Sequence, residues 1–200
     1  MRVSRAQAEA NREAVIDVAS RLFRKHGFDG IGLKDLMKGA GLTQGGFYKQ
    51  FESKDDLAAQ ASRRALESAF RRWSAAAAAN PQDPFGAVVA FYLSMAHREE
   101  KMDGCPVVAL GSDAARQGVD VKASFEAGIR EYLEMLGNWI GATDSEEADG
   151  KAMAILSTMV GAVLLSRAVN DEQMSKRFLE AAAESVLMSS AGDAEPGARQ

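Results

Sequence analysis

Between Arg5 and His26 the apolar residues Ala14, Val15, Val18, Ala19, Leu22 and Phe23 fall three and four apart, which draws one apolar stripe along a helix. No later segment shows the residue-by-residue alternation of a half-buried strand. The chain is therefore predicted to be all-α. At 200 residues it can bury a sizeable core, either as one large domain or as a small domain joined to a larger one. With 46% hydrophobic residues, 26% charged residues and only 4 prolines, it has the make-up of an ordered globular chain.

Turn and cap residues divide this pattern into elements. Ser4 with Gln7 reads as a capping box for a helix over 5–26, and Gly27 followed by Phe28 as a left-handed stop with an apolar contact back to the last turn. Leu33, Leu36 and Met37 predict a short helix over 33–39 with Gly32 as its N-cap. The turn "GAGL" follows, and Thr43 then caps a third short helix that ends near Gln50 and carries Phe47 and Phe51 four apart. Ser53 with Asp56 opens a fourth helix that runs through Leu57, Ala61, Ala65, Phe70 and Trp73 to Asn80, where "NPQDP" stops it. Further helices are predicted over 84–100, 106–116, 120–141, 147–169 and 171–189. The last two carry apolar residues on more than one face, as a helix does when it packs on its own core and on a second copy of the chain. Burial at the centre of a single subunit would ask for the same pattern. The expected organisation is a three-helix unit over residues 1–53, a helical region over 54–190 and a disordered tail over 191–200.

Charge is unevenly spread. Residues 1–54 hold ten lysines and arginines against six carboxylates, so within an overall net charge of −4 the first quarter is +4 and the remainder −8. A solvated basic helix face would account for that alone, but two short helices joined by a glycine-containing turn form a helix-turn-helix. Its third helix is the element suited to a DNA major groove. Thr43, Gln44, Gly45 and Gly46 leave the backbone at its start unobstructed, and exposed amides at a helix start bind phosphate oxygens. Gln44 can bond adenine in paired fashion, Lys49 can reach guanine or a phosphate, and Tyr48 can donate its hydroxyl to a phosphate. Lys54, in the first turn of the fourth helix, is unfavourably placed against the helix dipole unless a phosphate lies nearby. Phe47 and Phe51 are expected to anchor this helix to the core.

The run "GFDGIGLKDLMKGAGLTQGGFYKQFESKDDL", residues 27–57, resembles the signature of the TetR family of transcriptional regulators. In that family a glycine and an aromatic end the first helix, "AGLTQGGFY" forms the turn and recognition helix, and "FESKDDL" begins the fourth. The likeness covers residues 10–60 well and extends weakly through the remainder. It implies a homodimer that reads double-stranded operator DNA and carries a separate effector-binding and dimerisation domain, with the fourth helix relaying effector occupancy to the spacing of the two heads. By position it implies DNA contacts from Thr43, Gln44, Gly45, Tyr48, Lys49 and Lys54, and a phosphate contact from Lys34. Ile31 and Gly32 depart from the threonine or serine often found in the family at that point. The family majority favours a repressor over an activator.

"MDGCPVVALGSD" bears on what such a regulator would sense. Pro106 suits the first position of a helix and disfavours helical geometry before it, so Cys105 is predicted as an N-cap. A thiol there, one turn after Lys101, would have a lowered pKa and more thiolate; a lone cysteine is also a good small apolar core residue. "GCPVVAL" is similar to a subgroup of the family that includes the N-ethylmaleimide-responsive repressor, which implies sensing of electrophiles or oxidants near this position. The alternative is a noncovalent effector in an apolar pocket among Phe91, Tyr92, Met95, Val108, Phe125, Tyr132, Met135 and Trp139, the middle helices where the family places its ligand. Core packing by itself accounts for any one of those side chains.

No cofactor or metal is expected. His26 and His97 are the only histidines, neither is in a metal-binding pair, and no nucleophile elbow or phosphate-binding glycine loop is present, which argues against an enzyme. His97 and Glu100 are expected to be solvated. A helical small-molecule-binding protein without DNA function would fit the later part of the chain but not its basic, glycine-opened third helix. No charge-free stretch of about 18 apolar residues and no signal-peptide pattern is seen, so no membrane association and a cytoplasmic location are expected. The single cysteine agrees with a reducing compartment.

Overall fold

A computed structural model describes residues 4–140 and 146–191; all but Ala191 of the predicted disordered tail, 191–200, lies outside the described residues. The described chain is helical throughout, with helices α1 (Arg5–His26), α2 (Leu33–Gly39), a 3₁₀ helix (Gln44–Lys49), α3 (Lys54–Ala79), α4 (Pro84–Tyr92), α5 (Met95–Glu99), α6 (Pro106–Ala114), α7 (Val119–Trp139), α8 (Glu146–Ala168) and α9 (Glu172–Ala191). It forms two compact units. The first comprises the residues up to Arg71 together with Glu100–Arg130; the second comprises Arg72–Glu99 together with the residues from Glu131 on.

In the first unit α1 buries Val15, Ile16, Ala19 and Phe23, which is the stripe its spacing predicts. Ser4 Oγ accepts from Gln7 N at 3.1 Å, but the Gln7 side chain bonds Asn11 at 2.9 Å, so only half of the expected capping box forms. At the other end Gly27 has φ 77° and its N–H returns to Phe23 O at 2.7 Å, while the Phe23 and Phe28 rings meet at 5.2 Å. This end of α1 is fastened by residues far along the chain. Arg21 makes a two-point ion pair with Asp103 at 2.9 and 3.0 Å. Arg24, 7% exposed, donates to Gly104 O at 2.9 Å, and Phe28 N donates to Asp113 Oδ2 at 3.3 Å. An uncompensated cation would be costly in this burial, and the carbonyls of Ser20 and Gly104 offset that cost.

The first part of α3 lies against α1 through Arg64, which bonds Glu13 and Asp17. The bond that Arg64 donates to Glu13, with the nearby Asp17 charge, outweighs partial desolvation and raises the Arg64 pKa beyond the ordinary arginine value. Ser124 Oγ of α7 donates to Ala59 O of α3 at 3.1 Å.

In the second unit α8 packs against α9, and α4 also reaches α9. The expected single helix over 84–100 is two helices. Ser94 Oγ donates to Phe91 O at 2.8 Å and accepts from His97 N at 3.1 Å, so this serine competes with the ladder of α4 and caps α5 instead. His97, expected in solvent, is 3% exposed; its Nδ1 lies 2.6 Å from Tyr92 O, and its ring is 4.6 Å from that of Tyr92. The ends of α5 and α8 cap each other: Arg98 donates to Ser166 O, and Arg167 donates to the carbonyls of His97 and Arg98.

Within α8, Asp149–Ala168 is long and apolar enough to cross a membrane by composition, with a mean hydropathy of 1.3. Here it packs on α9, and its last turn is tied to α5 by the arginine bonds above. Met153, Leu164, Leu165, Met174, Leu187 and Met188 on these two helices are exposed, Met188 by 73%.

Candidate nucleic-acid interface

The turn after α2 has a specific chemistry. Gly41 N donates to Lys38 O at 3.0 Å and Leu42 N to Met37 O at 2.9 Å, the paired bonds of a Schellman motif, and Gly41 supplies its positive φ of 72°. The segment that follows differs from expectation in one respect: Gln44–Lys49 is a 3₁₀ helix of six residues rather than a turn of α-helix. Gly45 and Gly46 carry no side chains, which relieves the i, i+3 eclipsing that makes a 3₁₀ run of this length uncommon. Thr43 is its N-cap, with extended φ and ψ of −89° and 147°, but its hydroxyl makes no capping bond.

Phe47, 0% exposed, and buried Phe51 hold this helix to the core, their rings stacked at 5.4 Å. The Tyr48 ring stands edge-on to Phe47 at 5.1 Å and is 73% exposed. Burying Phe47 thus presents its sequence neighbour Tyr48 outward. Thr43, Gln44, Gly45, Tyr48 and Lys49 are all exposed, as is Lys34 in the first turn of α2, and Lys54 is half-buried at the start of α3. None of Lys34, Lys49 and Lys54 is paired with a carboxylate among the described residues. Gly32 caps α2 without a side-chain bond, and Ile31 is half-buried beside it.

Packing within the chain does not ask for glycine at position 45: a Cβ there meets nothing within 4 Å, and its φ is not positive. Lys54 is accompanied in its turn by Asp55 and Asp56. Ser53 Oγ accepts from Asp56 N at 3.0 Å, and Asp56 Oδ2 accepts from Glu52 N at 3.1 Å. These bonds fix the entry into α3 directly after Phe51.

Cys105 is the N-cap of α6, with Pro106 at its first position, as the Cys-Pro order predicts. It is 3% exposed, whereas Lys101 is exposed. The expected pocket residues divide between the units. Val108 and Phe125 are buried in the first. Phe91, Tyr92, Met95, Tyr132, Met135 and Trp139 belong to the second, where Trp73 joins the Tyr92 ring at 5.4 Å to the Tyr132 ring at 4.6 Å. Trp73 and His97 were not among the expected residues: the ring partners of Trp73 lie far along the chain, and His97 meets Tyr92 only because the helix breaks at Ser94. A groove of about 370 Å³ within the first unit is lined by Asp56, Ala59, Gln60 and Arg63 of α3 and by Asp120, Ala123, Ser124 and Ala127 of α7; none of the expected pocket residues lines it. Among the described residues no three of histidine, cysteine, aspartate and glutamate are grouped to hold a metal ion.

Comparison with known proteins agrees with this geometry. Residues 15–61 match the N-terminal domain of bacterial regulatory proteins of the tetR family. The chain is similar to the HTH-type transcriptional regulator LmrA of Bacillus subtilis, at 25% identity over 78% of this chain and 86% of that protein. It is also similar to the HTH-type transcriptional repressor NemR of Escherichia coli, at 23% identity over 62% of this chain and 64% of that one. Its fold matches the crystal structure of reduced E. coli NemR with a TM-score of 0.73, covering 88% of this chain and 96% of that one. A TetR transcriptional regulator from Chloroflexus aurantiacus matches at 0.76 and 26% identity, covering 91% and 96%. A helix-turn-helix held on two buried phenylalanines, the domain match that spans it and the all-helical likeness beyond it lead to one conclusion: residues 15–61 form a DNA-binding domain of the tetR family, in a chain whose helical fold is that of TetR transcriptional regulators.

Proposed function

We propose that the protein is a homodimeric, non-enzymatic repressor, acting in the cytoplasm without a cofactor, that sets its two 3₁₀ helices into the major grooves of a palindromic operator. The observation that carries this is the reading surface itself, with Gln44, Tyr48 and Lys49 outward over buried Phe47 and Phe51. In this reading residues 1–53 are the DNA-binding head and 54–190 serve effector binding and dimerisation. Gln44 reads adenine, Lys49 meets guanine or a phosphate, and Gly45 lets the backbone approach. Tyr48, Thr43, Lys34 and Lys54 hold phosphates. The outward apolar side chains of α8 and α9 support pairing of two copies there. Two-fold symmetry then sets the half-sites about 34 Å apart, one helical turn of DNA.

An effector releases the operator to the extent that it prefers the state that cannot bind DNA. Two routes are open: modification of Cys105 by an electrophile, and a noncovalent apolar ligand among Phe91, Tyr92, Met95, Val108, Phe125, Tyr132, Met135 and Trp139. The likeness to NemR, whose crystal structure is of a reduced form, and the N-cap position of Cys105 support the first. The burial of Cys105 favours the second in the resting protein. Fluorescence anisotropy on DNA from the gene's own upstream region, at two salt concentrations and with and without N-ethylmaleimide, tests both. Binding abolished by the reagent in the wild type but not in Cys105→Ser establishes the thiol route. Binding that survives treatment assigns control to a noncovalent ligand, and no binding to any upstream fragment overturns the regulator reading.

A further inference from the structure

Arg12 belongs to the basic first quarter of the chain, and charge alone would assign it to DNA phosphate. Its surroundings assign it elsewhere. The guanidinium lies 5.3 Å from the centroid of the Phe51 ring, within the range of a cation–π contact. Its Nη2 donates to Gln60 Oε1 on α3. Gln60 Nε2 donates in turn to Asp56 Oδ1 at 2.6 Å, and Asp56 Oδ2 accepts from Glu52 N at 3.1 Å. Glu52 follows Phe51, so the contacts close a loop: Phe51 ring, Arg12, Gln60, Asp56 and the backbone beside Phe51. Phe51 stacks on Phe47, and Phe47 carries Tyr48 on its edge.

We propose that Arg12 is a positioning residue for operator recognition: without touching DNA, it sets the pose of the 3₁₀ helix by holding Phe51 at its ring face while Gln60 and Asp56 hold the adjoining backbone. Bidentate base contacts are directional and demand that pose, whereas phosphate contacts to arbitrary sequence tolerate its loss. Arg12 therefore contributes to the ratio of specific to nonspecific affinity and not to the salt dependence. Lysine does not replace it, because an ammonium lacks the planar fork that meets ring and amide at once. The inference rests on the DNA-reading function proposed above.

The test uses full-length protein and two duplexes, one carrying the site that the wild type selects from a randomised library and one with that site scrambled. Anisotropy is read across a salt series, well below the melting temperature of every variant. Arg12→Met keeps the apolar stem and removes the fork; it is expected to weaken the selected site about tenfold, with scrambled-site affinity and the slope against log salt unchanged. Arg12→Lys should behave like Arg12→Met. Gln60→Met leaves the Arg12 charge in place yet breaks the same loop, so it should show the same profile and add little in the double variant; it also serves if Arg12→Met does not fold. Loss on both duplexes with a slope shallower by about 0.9 would make Arg12 a phosphate contact and overturn the proposal. Wild-type affinity in both Arg12→Met and Gln60→Met would overturn it too while leaving the regulator intact. Failure of the wild type to select any sequence would overturn the DNA-reading function and this proposal with it.

Discussion

Substituting Gly27 by alanine should strike the fold rather than the DNA contacts. At φ 77° and ψ 167° the residue occupies backbone space that is essentially open to glycine alone, which costs any other residue about 1–3 kcal/mol. An added Cβ would lie 2.7 Å from Asp113 Oδ2, so the carboxylate must move. That carboxylate accepts from Phe28 N, and Phe28 is buried. Losing the acceptor leaves an amide out of water without a partner, at about 1–3 kcal/mol. Together the two effects amount to about 2–6 kcal/mol, among the larger values for a single substitution. Denaturant unfolding followed by circular dichroism measures it. Gly45→Ala is the control: with nothing within 4 Å and no positive φ, it should shift stability by about 0.5 kcal/mol at most. The steric half of the reasoning has its own check, since the Gly27→Ala penalty should shrink in an Asp113→Ala background. A Gly27→Ala protein as stable as the wild type, or an undiminished penalty in that background, refutes the argument.

Other outcomes are as definite. Tyr48→Phe, which removes only the hydroxyl, should weaken the selected and scrambled duplexes alike, whereas Gln44→Ala should chiefly change which base is preferred; identical profiles across operator variants would remove that division of roles. Met188→Glu on the outward face of α9 should convert a dimer to a monomer in sedimentation velocity at micromolar concentration, and an unchanged sedimentation coefficient would move the dimer contact away from this face. Phe47→Ala, at a fully buried position, should cost about 3–5 kcal/mol in stability and abolish specific binding at temperatures where the variant remains folded.

Local rules accounted for much of this molecule. The stripe of α1, the stop at Gly27, the Schellman turn at Gly41, Ser53 as the cap of α3 and Cys105–Pro106 at the head of α6 all follow from chemistry within a few residues, which is where propensity and capping act. The departures have equally local causes. The 84–100 segment carries an apolar pattern that continues through Ser94, and only the competition between its hydroxyl and the helix ladder breaks it. The 3₁₀ winding of Gln44–Lys49 differs from an α-turn by one residue in its bonding, and periodicity over six residues does not separate the two.

What could not be read was distance. Arg12 next to Phe51 and Gln60, and Asp103 and Gly104 against α1, depend on partners far along the chain, while the burial of His97 against Tyr92 follows the break at Ser94, so residue type alone misassigned His97 to solvent. The exposure of Tyr48 and Lys49 was legible for a different reason. Buried Phe47 and Phe51 declare themselves by spacing, and that leaves Tyr48 and Lys49 between them facing outward.

The fastening of α1 to residues 103–113 has a consequence in time. A ribosome makes Arg24 80 residues before Gly104 and Phe28 85 residues before Asp113. At about 5–20 residues per second, that interval lasts roughly 4–17 s. Throughout it the nascent chain lacks the carbonyl that receives the Arg24 guanidinium and the carboxylate that receives Phe28 N, so the clamp on the end of α1 closes only well after the codons of α1 have been translated. A messenger truncated before codon 104 encodes every expected DNA contact and still lacks the parts that finish the head.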